Sequence, residues 1–521
     1  MSKFREALRG IIKDLRLREA LIWCLPALIA GAGLRIWLTV DLPYGYYQAD
    51  TPDFLDTADN VVNRHRFRVH GKKTFLTPVV YVVPFLLHIR ALIFIPLLQH
   101  LVGLLLVVLI GVLCRLWFTH WKWFIVPLTV LIAINPALLW YEHTLMAESL
   151  YAFTLVLLAV AGTVFALRQT RGTLVFLCAA LVLISGARPE GKLLFGFALF
   201  LVTLLYWGRW REGGKVLGIL AVVGVATHFL TRTTQAGLLI YTSVAYLTPD
   251  HVSSAPGFAE YFRPTQEKLI EGWEKGMRFA KAHERKIISE VCGRYIKEHP
   301  EVKKFQGHGG VSKLGKTLAQ ATFLHSPLEI LKLGYWKFRY VSGEPTNGQF
   351  TDYWLRKRQF DVMFGSARIF DSLAERLTGT ALTTKEETTE WVKAHYVPER
   401  LEWFNRYDTR WHAKMLKKRL PDTQFPGRPL KGMPLLFVAA FAGMFAIMLR
   451  RNPLQKFHIA FGLALMGLLF TICVTANVKP RFRFVFEPFW YLYVLVLLDC
   501  VISAGRWLIS KFKSPPGRAT G

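Results

Sequence analysis

Acidic residues are scarce in this sequence. Its 521 residues hold 36 Asp and Glu against 65 Lys and Arg, a formal charge of +29 at pH 7. Such an excess can signal nucleic-acid binding, but here the Lys and Arg stand mostly at the ends of apolar runs, where they snorkel and set topology. Nucleic acid is therefore set aside, and anionic membrane lipid is the expected partner of the basic surface. Cysteine is sparse too. Cys24, Cys114, Cys178, Cys292, Cys473 and Cys500 show no CxxC or metal-ligand spacing, which excludes the common zinc and redox motifs and leaves them as small core residues. A glycine-rich phosphate loop, HExxH, an EF-hand, GxSxG and a usable internal repeat are all missing. The first residues, MSKFREALRGIIKDLRLRE, carry no small-residue cleavage site and read as a retained basic, amphipathic anchor on the cytoplasmic side.

What is abundant is apolar surface: 52% hydrophobic residues, 14% aromatics and a mean hydropathy of +0.29. Runs of roughly 17 to 25 apolar residues, long enough to cross a hydrocarbon core about 30 Å thick, predict an all-α polytopic membrane protein. The expected crossings are 20–40, 92–113, 123–140, 149–167, 173–187, 192–207, 215–232, 433–449, 457–477 and 484–504, about ten by length. The stretch TPVVYVVPFLLH at 77–88 is shorter and interrupted by Pro84, as suits an interfacial or re-entrant helix.

Charge supports that count. With the N-terminus inside and 77–88 not crossing, Arg115, Lys122, Arg168, Arg171, Arg209, Arg211, Lys215, Arg450, Arg451 and Lys456 all fall on the cytoplasmic side, as does the basic C-terminal tail. The sequence then divides into an N-terminal membrane module, 1–232, with a first outer loop at 41–91, a mostly helical extracytoplasmic domain at 233–432, and a C-terminal membrane module with its tail at 433–521. The middle region is too long for a loop and alternates apolar and charged residues at helical spacing.

The outer connections collect polar residues that hydropathy does not explain. They are Asp50 and Asp53, Lys72 and Lys73, Glu142, His143 and Glu148, Arg188, Glu190 and Lys192, and then Lys479, Arg481 and Arg483 in NVKPRFRF. Three cations without an acid in a short outer loop break the charge rule and suggest an anionic ligand. A carboxylate on this face can take a proton from a hydroxyl while cations stabilise a phosphate leaving group. Blander readings exist for each residue: Thr51 or Asp53 as a helix N-cap, Glu148 favouring a helix start through the macrodipole, His143 as an interfacial histidine, and Trp140 and Tyr141 as part of an aromatic belt.

The segment YYQADTPDFLDTADN, 46–60, resembles the first outer loop of the GT-C superfamily of polyprenyl-phosphate-dependent glycosyltransferases, which includes the protein mannosyltransferases and the lipid A aminoarabinose transferases. Asp50 matches the family's catalytic Asp and Phe54 its aromatic, while Thr51 replaces the second acid and leaves Asp53 as the alternative carboxylate. TFLTPVVYVVPFLL is similar to the family's Pro-containing juxtamembrane helix, preceded by a basic residue, here Lys72 or Lys73. The turn carrying Glu142 and Glu148 resembles an outer turn with a metal-binding or supporting acid. SGARPEG and KPRFRFVFEPFWYLY are similar to its Arg-Pro turn and to the start of a late span. The resemblance covers 1–232 and 433–504.

It implies an inverting transferase that moves a sugar from a polyprenyl-phosphate donor to a hydroxyl of a glycan, lipid or protein acceptor on the extracytoplasmic side, with a divalent cation optional. Lys72, Lys73, Arg188, Lys479, Arg481 and Arg483 would hold the phosphate. The expected location is a bacterial plasma membrane, the alternative an endoplasmic reticulum. A secondary transporter or lipid flippase is the competing function, and a membrane scaffold a third.

Overall fold

The computed structural model describes residues 17–48, 50–66, 74–231, 255–274, 282–307, 309–328, 330–331, 334, 350, 352–357, 359–360, 374–416, 433–449, 454–475 and 484–513. Among these residues the chain is helical, and the one β-type pairing is an isolated parallel bridge between Tyr46 and Thr144. The N-terminal part runs α1 (Leu17–Asp41), α2 (Thr51–Arg64), α3 (Leu76–Leu86), α4 (Ala91–Trp117), α5 (Trp121–Ala133), α6 (Pro136–His143), α7 (Glu148–Arg168), α8 (Arg171–Ala187), a 3-10 turn (Pro189–Leu193), α9 (Leu194–Leu205) and α10 (Trp210–Leu230). Then come α11 (Phe258–Glu274), α12 (Ala282–Glu298), α13 (Gly310–His325), α14 (Ala374–Thr378), α15 (Lys385–His395) and α16 (Glu402–Leu416). The chain closes with α17 (Met433–Leu449), α18 (Gln455–Thr475) and α19 (Glu487–Lys513).

Local signals account for several boundaries. Pro52 sits in the first turn of α2, where its missing N–H costs nothing, and His65 ends the helix in the left-handed region. Asn135 caps α6, its side chain accepting from the backbone N–H of Ala137 at 2.9 Å, with Pro136 in the first turn. That Asn-Pro step bends α5 against α6 by 47°. Thr170 and Thr173 form a reciprocal capping box at the start of α8.

Among the described residues, six helices are long and apolar enough to cross a membrane, or seven if the bent α5–α6 pair is one span. Their outer faces are apolar: Ile29, Val40, Val222 and Phe229 are each about two-thirds exposed (66–69%). Continuous exposed apolar faces on helices of this length mark contact with lipid. The remaining expected crossings fall short of spanning length for visible reasons. The run 123–140 is broken at Asn135-Pro136, 192–207 begins as a 3-10 turn before a 12-residue α9, and α8 and α17 have 17 residues each. The Pro-containing stretch at 77–88 forms the 11-residue α3.

α1 packs against α4 and α5, α4 against α7, α7 against α8, α9 against α18, and α17 along α19. Small residues allow close approach: a Cβ at Gly111 would run into the Cys24 sulfur, and one at Gly443 into the Tyr493 carbonyl. Two ends of the bundle differ in chemistry. One gathers the basic connections, with Arg115 bonded to Glu19 at 3.0 Å, Arg209 to Gln169 at 2.7 Å, His120 to Asp499 at 2.8 Å and Arg506 over the Trp123 ring. The other holds the α1–α2 connection, α3, the α6–α7 turn and the end of α8.

The middle region splits between two hydrophobic clusters. Phe258, Ile288, Cys292, Tyr295, Leu314 and Leu318 give α11–α13 a core of their own. Phe350, Leu377, Trp391, Tyr396 and Phe404 belong instead to the bundle's core. They bring Phe350 and α14–α16 onto the second end, where Tyr396 bonds to the Gly45 carbonyl (2.8 Å), Trp403 to Asp41 (2.6 Å), and Gln359 both accepts from the Tyr47 N–H and donates to its carbonyl.

Candidate functional site

The α1–α2 connection is held from several sides. Gly45 N–H donates to the Leu92 carbonyl at 2.6 Å, Tyr46 N–H to that of His143 at 2.9 Å, and Leu145 N–H to that of Tyr46 at 2.9 Å. Thr51, which stands where the resembled family has an acid, donates its hydroxyl to the Leu145 carbonyl and accepts from the Gln48 N–H, each at 2.9 Å. The threonine is therefore a structural clamp between this loop and the α6–α7 turn. Asp50 occupies the N-cap position of α2 without making a capping bond, and Asp53 lies in the first turn of that helix; both are half-buried.

Facing this loop is Arg188, in extended conformation at the end of α8. It reaches Glu148, at the start of α7, at 3.2 Å and Glu190, in the 3-10 turn, at 3.4 Å, and lies over the Tyr151 ring. Burial works against the Arg188 charge, but Glu190, Glu148, Tyr151 and Asp50 outweigh it and hold the guanidinium firmly protonated. Asp50, Glu148 and the Arg188–Glu190 turn, from three separate stretches of chain, thus share one electrostatic site. Around it, among the described residues, the hydroxyls of Ser149, Tyr151 and Ser185 are buried without a hydrogen bond. Each such group costs about 1–3 kcal/mol unless something bonds to it.

Other residues singled out in the sequence turn out differently or lie elsewhere. Lys192 donates to the Thr231 carbonyl. Lys72, Lys73, Lys479, Arg481 and Arg483 lie outside the described residues. Glu142 is not beside Glu148's partners: it is fully buried and takes a two-pronged bond from Arg35, Nε and Nη2 each at 2.7 Å, plus one from His100 at 2.9 Å. His143, read as interfacial, is fully buried against His100 at 3.1 Å, and Trp140 and Tyr141 are buried rather than forming a belt. The bend at Asn135-Pro136 turns α6 into the bundle and carries these residues with it.

Sequence reasoning passed over Arg35 and His100, both inside apolar runs. An ionisable residue within a membrane-length run is costly unless partnered, and that was the signal available. Among the described residues no three His, Cys, Asp or Glu side chains gather as a metal site. The acids near Arg188 therefore do not gather as a divalent-cation site. By its helices the chain is an all-α, multi-pass membrane protein. Neither the known family models nor the curated proteins contain a match to this chain.

Proposed function

We propose that the protein is an inverting glycosyltransferase of the GT-C type, taking a sugar from a polyprenyl phosphate and passing it to an acceptor hydroxyl on the extracytoplasmic side. This reading rests on Asp50 lying within electrostatic range of Arg188, which is itself paired with Glu148 and Glu190. Asp50 takes the proton of the acceptor hydroxyl, the freed oxygen attacks the anomeric carbon with inversion, and the phosphate leaves towards Arg188. Lys72, Lys73, Lys479, Arg481 and Arg483 are further candidates to hold that phosphate. The unbonded hydroxyls of Ser149, Tyr151 and Ser185 offer partners to the hydroxyls of a sugar.

In this reading the bundle crosses about ten times, the shorter helices completing their crossings with neighbouring turns. Both termini face the cytoplasm and the Asp50 end faces outward, in a bacterial plasma membrane. The purified protein, offered a panel of radiolabelled polyprenyl-phosphate sugars, should consume at least one, and Asp50→Asn should stop consumption while the protein stays folded. Consumption of none of a broad panel, with lipid-linked glycan instead moved across a vesicle membrane, would replace the enzyme by a flippase.

A further inference from the structure

Arg35, Glu142, His100 and His143 form a continuous hydrogen-bonded chain that ends on the backbone of the α1–α2 connection. Arg35 Nη1 also donates to the carbonyls of Gly31 and Ala133, each at 2.9 Å, so four of the five guanidinium N–H groups are bonded. Glu142 then accepts at both oxygens from Arg35 and at Oε2 from His100 Nδ1. His100 Nε2 meets His143 Nδ1 at 3.1 Å, and His143 Nε2 meets the Tyr44 carbonyl at 3.2 Å. All four residues are nearly or fully buried, at 4% exposure or less, and a Cβ at Gly103 would collide with the Glu142 carboxylate.

Proton counting along this chain gives an unusual result. A neutral imidazole has one N–H and one acceptor nitrogen. If His100 donates from Nδ1 to a Glu142 carboxylate, its Nε2 accepts from His143 Nδ1. That leaves His143 Nε2 as an acceptor pointing at another acceptor, the Tyr44 carbonyl. One added proton resolves this wherever it resides. Placed on an imidazole or on Glu142, it lets the chain run donor to acceptor without a break from Glu142 to Tyr44. The chain is then a coupled group with one shared proton, its net charge with Arg35 being +1 when the last link closes and zero when it opens.

We propose that these residues constitute a proton-binding site buried in the bundle, whose occupancy makes or breaks the link from His143 to the Tyr44 carbonyl. The link matters because Tyr44 begins the stretch that is bonded to Leu92, His143 and Leu145 and that leads directly into Asp50. The ligand is the proton itself, and the site does not depend on any transfer reaction. Other ionisable groups on the elements packed around it have their own positions. Asp41 bonds to Trp403, Glu148 to Arg188 and Tyr407 to the Ile134 carbonyl, while Asp408 is buried on α16.

The test uses the full-length protein in lipid nanodiscs, with 15N in histidine rings, 13C in tyrosine carbonyls and 15N in glycine. Tyr44-Gly45 is the one Tyr-Gly step in the sequence, so its carbonyl is identified without a variant. As the pH is lowered, the nitrogen pattern of the buried rings should change, one ring passing from neutral to imidazolium or both exchanging tautomer as Glu142 takes the proton. The Tyr44 carbonyl resonance should move with the same midpoint, and His143→Gln should abolish both changes. Should His143→Gln fail to fold, the unaltered protein decides alone. A Tyr44 carbonyl that stays still while the ring nitrogens change, or buried rings whose nitrogens never change, would overturn the proposal.

Discussion

Two charged clusters lie near the same end of the bundle and behave in opposite ways. In the first, Arg35 and Glu142 are almost wholly buried, both carboxylate oxygens are bonded, and the arginine's Nη1 closes on two backbone carbonyls. In the second, Arg188 meets Glu148 and Glu190 through longer contacts, Arg188 and Glu190 keep 15% and 26% of their side-chain surface, and nearby hydroxyls have no bond. A network closed on itself holds conformation, because its bonds are complete before any ligand arrives. One that keeps part of its surface can be reached by something else. The same residue types, Arg with Glu, thus divide into a strut and a site according to how completely the protein buries them.

The sharpest way to break this comparison is to remove one group from each cluster. Asp50→Asn should lower transfer about 10²–10⁴-fold, the range for losing a general base, with the thermal transition in detergent unchanged; a lowered transition would make Asp50 part of the strut. Arg35→Met should do the reverse. It strands Glu142 as an uncompensated buried charge, a loss of about 3–5 kcal/mol, read as a lower transition temperature and poor recovery from the membrane. Arg35→Met with Glu142→Leu should regain most of that loss, since replacing a whole buried pair with apolar groups is close to neutral. Arg188→Lys keeps the charge but not the fork that reaches Glu148 and Glu190 together. It should cost about 1.5–3 kcal/mol in kcat/KM, leaving stability as it was.

Which of these clusters could be read beforehand follows from where the chain bends. Asp50, Glu148 and Arg188 stand at the ends of apolar runs, so simple counting of crossings puts them on one face; Glu148 and Arg188 bond, and Asp50 acts on Arg188 electrostatically. The membrane class and the short α3 are legible for the same reason, apolar run length. Glu142 and His143 sit a few residues from Glu148 and look equivalent to it. They bond to different partners, Glu142 to Arg35 and His100 and Glu148 to Arg188, and the 47° bend at Asn135-Pro136 that precedes them does not reveal its direction in the sequence. The partners of Glu142 are Arg35 and His100, 107 and 42 residues away, and pairing at that distance leaves no periodic trace. The division of the middle region between two cores is hidden likewise, because α11–α13 and α15–α16 share the same amphipathic pattern.

A smaller effect is expected where the strut meets a helix without charge chemistry. Gly103→Ala places a methyl group against the Glu142 carboxylate, an overpacking that should cost about 1–3 kcal/mol. Because the carboxylate would be pushed from His100, the mutation should also disturb the histidine titration; a stable protein with an unaltered titration would show that the network yields easily and is no strut.

The smallest effect tests whether burial, rather than membership of α1, makes the strut. Asp41 lies six residues beyond Arg35 on the same helix and pairs with Trp403 Nε1 at 2.6 Å, while the Trp403 ring stacks on Trp37 at 4.1 Å. Both partners are only partly buried, so water can replace the bond when it is lost. Trp403→Phe keeps an aromatic ring against Trp37 and removes the indole donor, and should cost about 1 kcal/mol. That loss should appear as faster hydrogen exchange in α16, where the middle region docks, with α11–α13 unaffected because their core is separate. A global loss as large as that of Arg35→Met would mean that any polar contact on α1 holds the bundle together, and the distinction between closed and open networks would fail at its own helix.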